Sequence, residues 1–460
     1  MKAELMITVI IFILLFLKLS NKAWKNEGML NFINVLLFIN LVSGFFYIPN
    51  GNLFGDMYRT SELFTLEKNF LNLGTLIISL QSYDWLKNHR HIVEFYILLL
   101  STLLGMFFMI SSSNLLMFYL GLELSTIPLA ALSNFDLDKR RSSEAAFKMI
   151  ISSAFSSGLL LFGISLLYGS TGTLSFAELT THINGNSLQI FSFILLLAGF
   201  GFKISAVPFH LWTADVYEGS PVAVTSYLSV ISKAAILFVM VSVFYKVFSP
   251  IAKSWYNMIF LISVATMVIG NLFALRQQNM KRFLAFSSIA QVGFILVGLS
   301  GQSTAGSTSV IFFILVYIFS NLGAFGIISL VSALTGKENM DDYKGFYRTN
   351  PLLSWVLAIS LFSLAGIPPM AGFFGKFFLL FAGAGTGNYL LLVIAVLNMV
   401  IALYYYLKVI KAIFMDTNQN PIEKIHSNWQ PKIAMVICVG GILITGIASG
   451  AYNYIHSLMK

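Results

Sequence analysis

Long runs of apolar residues, separated by short polar stretches, recur along the whole chain. A helix needs about 20 apolar residues to cross about 30 Å of membrane hydrocarbon. Fourteen such segments are predicted. In chain order their approximate bounds are residues 4–19, 28–48, 69–86, 92–112, 114–134, 145–169, 187–212, 221–246, 255–275, 281–300, 308–333, 352–382, 387–414 and 431–456. The pattern therefore predicts an all-α polytopic membrane protein.

Composition excludes a soluble monomer. The chain is 57% hydrophobic and only 10% charged, and its mean hydropathy is +0.82, which leaves too little polar surface to face water. The single cysteine, Cys438, excludes disulfide, zinc and iron–sulfur sites formed by this chain alone. The sequence also contains no glycine-rich nucleotide-binding loop. We therefore expect this chain to bind no cofactor and no metal.

Lysine and arginine are concentrated in alternate connections between the segments. The richer side includes the connection after the first segment, and the positive-inside rule makes that side cytoplasmic. Its basic residues include Lys22, Lys25, Lys87, Arg90, residues 139–141, Arg276, Lys281, Arg282, Lys337 and Arg348. Both termini are then predicted on the outer side. Membrane topology accounts for the net charge of +9, so no nucleic-acid partner is needed to explain it.

Five ionisable residues interrupt the apolar segments. They are Glu123, Lys148, Lys203, Lys233 and Lys376. A charge at the centre of a membrane helix costs roughly 2.5–3.5 kcal/mol on insertion scales, and such residues usually mark an ion path. Burial disfavours a charged ammonium and a nearby carboxylate favours it, so moving one partner can load or release a proton. We therefore interpret these residues as candidates for proton transfer.

Counting along the helices places several of these groups at one depth. At about 1.5 Å per residue, Glu123, Lys203 and Lys233 lie near the membrane midplane, and Gln291 reaches the same level. A line of polar groups parallel to the membrane could result. Lys376 lies roughly 10 Å from the outer face, where it could act as an outward gate.

Two of the charged segments are interrupted by helix-breaking residues. Segment seven contains Gly199, Gly201 and Pro208, and segment twelve contains Gly366, Pro368, Pro369, Gly372 and Gly375. Broken helices at membrane depth indicate hydrated cavities. Because the breaks recur five segments apart, segments 4–8 and 9–13 are predicted to form two inverted repeats. The predicted divisions are residues 1–91, 92–246 (first repeat), 255–414 (second repeat) and 415–460.

Some of these residues have structural interpretations as well. Lys148 lies close to the cytoplasmic end of its segment, and its side chain could extend to the lipid headgroups. Glu123 could be its structural partner. His210, predicted near the cytoplasmic end of segment seven, could take up protons or could make only a structural hydrogen bond.

Several motifs resemble the antiporter-like subunits of respiratory complex I, the NADH-quinone oxidoreductase. The similar stretches are residues 201–212 (GFKISAVPFHLW), 215–221 (DVYEGSP), 232–234 (SKA), 281–290 (KRFLAFSSIA), 366–369 (GIPP) and 372–376 (GFFGK). The turn Asp215-Val-Tyr217 and the chain length are similar to the subunit N branch of that family. The resemblance implies that the subunit M branch has a glutamate at the position where this chain has Lys376.

The resemblance implies a role for each charged residue. Glu123 and Lys203 would form the input-side pair, with Lys148 adjusting Glu123. Lys233 would be the central relay, and Lys376 the output-side site.

Two positions depart from the family pattern. Gln291 stands where the family commonly has a histidine, and glutamine can hydrogen-bond water but cannot carry the proton itself. A water bridge is therefore the more plausible link at this position. Ala214 replaces the usual proline before the Asp215 turn, which is expected to alter only local rigidity.

The resemblance implies a proton-translocating membrane-arm subunit of a bacterial inner-membrane complex. NADH, FMN, iron–sulfur clusters and quinone would belong to other subunits. The expected partners are flanking antiporter-like subunits, small membrane subunits and the lipid bilayer. Similar helices also occur in multi-subunit cation/proton antiporters and membrane-bound hydrogenases. A stand-alone secondary transporter and a purely structural scaffold are the other interpretations.

Overall fold

The computed structural model describes residues 1–20, 24–46, 50–448 and 450–459. Lys22, one of the basic residues used to predict the topology, lies outside this part of the chain.

The described residues form helices from end to end. In chain order they are α1 (Lys2–Leu19), α2 (Asn26–Ser43), α3 (Glu62–Gln81), α4 (Tyr83–Leu86), α5 (Ile92–Ile110), α6 (Leu115–Ser133), α7 (Arg140–Thr171), α8 (Phe176–His182), α9 (Ser187–Ile204), α10 (Leu211–Gly219), α11 (Val222–Tyr227), α12 (Lys233–Ser242), α13 (Ala252–Ala274), α14 (Met280–Leu299), α15 (Thr304–Thr335), α16 (Phe346–Thr349), α17 (Pro351–Ala365), α18 (Ala371–Ala384), α19 (Tyr389–Phe414), α20 (Trp429–Ile447) and α21 (Gly450–Leu458). A short antiparallel hairpin, β1 (Gly51–Leu53) and β2 (Tyr58–Thr60), pairs Gly51 with Thr60.

Ten helical stretches of the described chain are long and apolar enough to cross a membrane. They include the continuous stretch Val222–Val247, in which α11 and α12 are joined by the π-helical turn Leu228–Ser232. Two further apolar helices, α17 and α18, are shorter. The prediction of an all-helical, multi-pass membrane protein is thereby confirmed at this level, with the hairpin as a small addition.

Helix ends follow local capping chemistry. Ser61 starts α3 by accepting a hydrogen bond from the Phe64 amide, and Asn279 starts α14 by accepting from two amides. The long helices α7 and α15 both end at a left-handed glycine, Gly172 and Gly336.

Several segment bounds were predicted wrongly. The third segment begins at Glu62 rather than at residue 69, because Ser61 caps the helix ahead of its charged first turns. The seventh segment breaks after Ile204 and resumes as α10, so its last residue is Gly219 rather than residue 212. The twelfth segment is two helices separated at residues 366–370, and the expected breaks therefore occur.

The apolar helices α14 and α15 occupy the centre of the molecule. Nearly every side chain of α14 is buried, as is every residue in the most apolar part of α15. The helix α15 packs against α3, α17, α18 and α20. In contrast, fewer than half of the residues in the apolar parts of α7, α13 and α19 are buried, which suits a surface that faces lipid or neighbouring subunits.

Two parts of the chain share a pattern of backbone hydrogen bonds. The amide of Leu115, at the start of α6, donates to Leu174 just after α7 (3.0 Å), and Phe176 donates back to Ser113 (2.9 Å). The amide of Met280, at the start of α14, donates to Glu338 just after α15 (2.8 Å), and Met340 donates back to Gln278 (2.7 Å). The helices α7 and α15 that these bonds close are both 32 residues long.

Candidate proton-transfer site

Lys203 lies in the last turn of α9, immediately before the helix breaks. Its Nζ donates to the Thr126 hydroxyl of α6 at 2.5 Å. Glu123 lies one turn before Thr126 and is close enough to Lys203 for a Coulombic interaction. The structure therefore places Glu123 and Lys203 on the adjoining helices α6 and α9, but among the described residues they form no ion pair within 4.0 Å. Within the described chain, Glu123 Oε1 is buried and accepts no hydrogen bond.

The break after Lys203 has a clear local cause. Ser205 adopts a left-handed conformation (φ 62°), and the Ala206 amide donates to Gly201. The Trp212 indole N–H donates to the Phe202 carbonyl at 3.2 Å, which satisfies one of the acceptors freed at the helix end. A cation in the last turn of a helix is favoured by the helix dipole, so the break also helps to stabilise the ammonium of Lys203.

Lys233 begins α12 directly after the π-helical turn and is only 2% exposed. Its Nζ donates to the Ser288 hydroxyl of α14 at 2.9 Å and lies 5.6 Å from the centre of the Tyr217 ring. No ion pair of the described residues includes this lysine. An ammonium without a carboxylate in such a site pays a large desolvation cost, so its charge responds to small changes in its surroundings.

A small cavity of about 10 Å³ separates Lys233 from Gln291. Ser288 and Tyr317 also border it, and almost all of the surface that faces the cavity is apolar. A volume of about 10–15 Å³ accommodates one water molecule. The cavity therefore has room for the single bridging water that the sequence suggests.

Gln291 connects this cavity to the broken twelfth segment. Its side-chain amide donates to the Leu364 carbonyl at 3.0 Å and to the Tyr406 hydroxyl at 3.1 Å. Its Oε1 is buried and accepts no hydrogen bond from the described residues. One end of the side chain is therefore fixed on α17 and α19, while the other retains an unused acceptor.

Lys376 lies in the second turn of α18, just after the break, and is 1% exposed. Its Nζ donates to the carbonyls of Leu364 (2.7 Å) and Ala365 (3.3 Å) at the end of α17. The chain turns at Gly366, whose φ of 87° favours glycine. Leu364 is thus a common acceptor for Lys376 and Gln291, and these two side chains meet at one carbonyl oxygen.

Lys148 forms no ion pair with Glu123, the structural partner that the sequence left open for it. Its Nζ lies 2.6 Å from Asp215 and 2.8 Å from Glu144. Arg282 joins the same network with 2.8 Å contacts to Asp215 and to Glu218. The structure therefore links Lys148 through Asp215 of α10 to Arg282 at the start of α14, one of the basic residues that predict the cytoplasmic side. Burial raises the pKa of Asp215, but hydrogen bonds from its two cationic neighbours outweigh this effect and hold the pKa below its usual value.

His210 lies in the turn between α9 and α10, not at the end of the broken helix as expected. It is 7% exposed, and its Nδ1 has no hydrogen-bond partner in the described part of the chain.

Three buried ionisable residues near the start of the chain were missed. Lys68 pairs with Glu4 at 2.5 Å and also donates to Ser111 at 2.5 Å. Glu67, beside it on α3, is 1% exposed. The predicted third segment began at residue 69 and left both residues outside it, although Ser61 is a typical N-cap residue and could have placed the helix start correctly.

The fold and these side chains define a multi-pass membrane protein with buried lysines set beside broken helices. The sequence profile of the family described as "NADH:quinone oxidoreductase/Mrp antiporter, TM" matches residues 112–402. The NADH-quinone oxidoreductase subunit N of Phocaeicola vulgatus is 44% identical over 98% of this chain and 97% of its own length. That of Azobacteroides pseudotrichonymphae is also 44% identical, over 98% of this chain and 96% of its own.

A solved structure extends the likeness to the whole fold. A chain of respiratory complex I from Thermus thermophilus superposes with a TM-score of 0.83, is 28% identical and is covered over 97% of both chains. This chain belongs to the NADH:quinone oxidoreductase/Mrp antiporter family of membrane proteins. The resemblance drawn from the motifs is thereby confirmed.

Proposed function

We propose that this chain is a proton-translocating membrane-arm subunit of an NADH-quinone oxidoreductase. The observation that carries the proposal is the sequence of buried polar groups from Lys233 through Gln291 to Lys376. Relatives that are 44% identical over nearly the full chain bear the name of subunit N of that enzyme. NADH, FMN, iron–sulfur clusters and quinone then belong to other subunits, and the partners of this chain are antiporter-like and small membrane subunits.

The proposed path begins at the pair Glu123 and Lys203. When Lys203 carries a proton, its charge is balanced by Glu123, and movement of either partner changes the affinity for the proton. Lys233 forms no ion pair with a carboxylate of the described residues, so nothing offsets the repulsion that added positive charge on Lys203 would exert on it. Loading one lysine therefore helps to unload the next. Lys148 then acts on this path only indirectly, through the network at Asp215.

The step from Lys233 to Lys376 uses water rather than a titrating side chain. A proton leaving Lys233 passes to a water in the adjoining cavity, and the free Oε1 of Gln291 orients that water. The Leu364 carbonyl holds Gln291 and Lys376 together. Gln291 does not carry the proton itself, because an amide side chain does not titrate; it orients the water by hydrogen bonding instead. His210, with its free ring nitrogen, is a secondary candidate for proton uptake.

Fourteen membrane-crossing segments and two inverted repeats complete the proposed architecture. The additional crossings are α1, α2, α3 and the broken pair α17 and α18. The matching hydrogen bonds that close α7 and α15 support the repeats, as do the breaks after α9 and α17. Close helix contacts at glycines also recur: Gly105 and Gly121 join α5 to α6, and Gly270 and Gly293 join α13 to α14. The divisions 1–91, 92–246, 255–414 and 415–460 follow from this plan.

The proposed orientation places both termini on the periplasmic side of a bacterial inner membrane. A cavity of about 370 Å³ supports it, because its lining combines Lys139, Arg141, Lys281, Glu218 and Glu338 from connections assigned to the cytoplasmic side. Positive charge is retained on that side.

Isolation of the tagged chain in mild detergent tests the proposal. We expect inhibitor-sensitive NADH:quinone oxidoreductase activity to co-purify with it. If the chain co-purifies with membrane subunits that lack this activity, the antiporter alternative within the same family is favoured. Cation-dependent proton flux in vesicles would then identify that function.

A further inference from the structure

A second group of buried charges lies at the opposite end of the molecule from the cytoplasmic network. A cavity of about 340 Å³ is bordered by Glu67 of α3, by Arg59 of β2 and by Tyr245 and Lys246 at the end of the eighth segment. Residues 457–459 of the C-terminal end also border it. Each of these parts was assigned to the outer side by the charge pattern. The cavity therefore belongs to the proposed periplasmic face.

Glu67 is the buried ionisable group in this cavity. Its side chain is 1% exposed, and its Oε2 has no hydrogen-bond partner in the described chain. A buried carboxylate that serves only to stabilise a fold is normally paired or fully hydrogen-bonded. Glu67 makes no ion pair within 4.0 Å with any described residue. An acceptor remains available for a proton or a water.

Glu67 has no ion pair because the neighbouring lysine, Lys68, is held by other groups. Lys68 is already held by Glu4 at 2.5 Å and by the hydroxyls of Ser111 and Tyr58. It acts on Glu67 only through longer-range attraction, as does Lys246, whose side chain is exposed.

Two more charged groups border the cavity. Arg59 is exposed on the hairpin, and Glu62 is exposed one turn before Glu67. The surrounding charges therefore include both signs, and Glu67 is the carboxylate among them that burial shields from solvent.

The cavity also has a defined relation to the proposed proton path. Lys246 and Lys233 lie 13 residues apart in the same helical stretch, Val222–Val247, which corresponds to about 20 Å along the helix. The helix α3 packs alongside this stretch, where a side chain at Gly74 would overlap Ile231. Glu67 lies about 10 Å further toward the outer end of α3 than Gly74. Along the helix axes, Glu67 therefore lies between the level of Lys233 and the water on the proposed outer side.

We propose that Glu67 is an outward proton-release site. In the first step, a protonated water or ammonium on the interior side transfers one proton to the Glu67 carboxylate, which becomes a neutral carboxylic acid. The acid then loses the same proton to water in the cavity and regains its negative charge. Lys68 and Lys246 favour this return to the carboxylate. The inference rests on the proposed function, because it needs protons to be delivered from the interior.

The test compares Glu67→Gln with Glu62→Gln in the complete complex. Both variants neutralise a glutamate of α3 that borders the cavity, but Glu62 is exposed. The quantities measured in sealed vesicles are protons translocated per NADH oxidised, electron transfer and the amount of assembled complex. We expect Glu67→Gln to lower proton translocation severalfold at normal assembly, and Glu62→Gln to match the wild type. Glu67→Asp, which keeps the carboxylate, should retain most of the translocation.

Lys233→Ala in the same vesicles separates the two proposals. If Lys233→Ala lowers proton translocation while Glu67→Gln matches Glu62→Gln, the release site is wrong and the proposed function stands. If neither variant lowers translocation, the proposed function itself fails. Should Glu67→Gln prevent assembly, infrared difference spectra between the wild type and Glu67→Asp decide the matter. A carboxylic acid band that changes with external pH supports the site, and the absence of such a change overturns it.

Discussion

Gln291 allows the water-linked step to be tested with two opposite substitutions. Gln291→Leu has a similar size but removes both donor bonds, to the Leu364 carbonyl and to the Tyr406 hydroxyl. It also removes the buried Oε1 acceptor of a side chain that borders the cavity beside Lys233. Gln291→His retains a ring N–H donor and a second nitrogen. The first variant should interrupt the link, and the second should preserve it.

The structure sets the expected size of the effect. A neutral hydrogen bond contributes about 0.5–1.5 kcal/mol, so the loss of two bonds weakens the ordered link by about 1–3 kcal/mol. Since each 1.36 kcal/mol of barrier is a factor of ten, the transfer rate falls roughly 5- to 150-fold in Gln291→Leu. Gln291→His loses about one bond, which corresponds to a roughly 2- to 13-fold reduction.

Reconstituted complex provides the assay, with proton uptake and NADH oxidation recorded in the same vesicles. The predicted order of translocation is wild type, then Gln291→His, then Gln291→Leu, at equal amounts of assembled complex. Wild-type translocation by Gln291→Leu would refute the water link. A complete loss in Gln291→His would instead show that the native amide or its water arrangement is required.

Two substitutions test the packing and the electrostatics separately. Gly372→Ala should reduce the amount of folded chain, because the new Cβ would overlap the Ser363 carbonyl and overpacking costs about 1–3 kcal/mol; Gly158→Ala has open space around it and should be neutral or stabilising in the same thermal-stability assay. Asp215→Asn should lower stability at neutral pH by about 1 kcal/mol, a small value because the pair is partly solvated. Since the pKa of Asp215 is held below its usual value, this contribution is present above about pH 4 and is lost as the pH falls through the folded pKa. Asp138→Asn, at an exposed position, should show no such loss, and equal stability of the two variants would contradict the network.

Apolar periodicity predicted the membrane class and most helices because hydrocarbon thickness imposes their length. Buried lysines were equally visible, since charge inside an apolar run is rare. The ends of broken helices were harder to locate. Segment seven was expected to stop at residue 212, but α10 continues to Gly219, because the chain resumes a helix after the turn that contains Pro208.

The depth of a residue in the membrane does not reveal which side chains it contacts in the folded protein. The sequence left open a structural pairing of Glu123 with Lys148, and the family resemblance implied that Lys148 adjusts Glu123. The structure instead pairs Lys148 with Asp215, 67 residues away, through the packing of α10 on α7. Likewise, no periodicity reveals that Gln291 and Lys376 share the Leu364 carbonyl, since that contact depends on the break in segment twelve.

Proton translocation by Lys233→Ala tests the central claim most directly. Lys253→Ala, at an exposed lysine near the start of α13, is the matched control. The measurement is the number of protons translocated per NADH oxidised in vesicles that contain equal amounts of assembled complex. The account predicts a strong decrease for Lys233→Ala and the wild-type ratio for Lys253→Ala. A wild-type ratio in Lys233→Ala would remove the central lysine from the path and contradict the proposed mechanism.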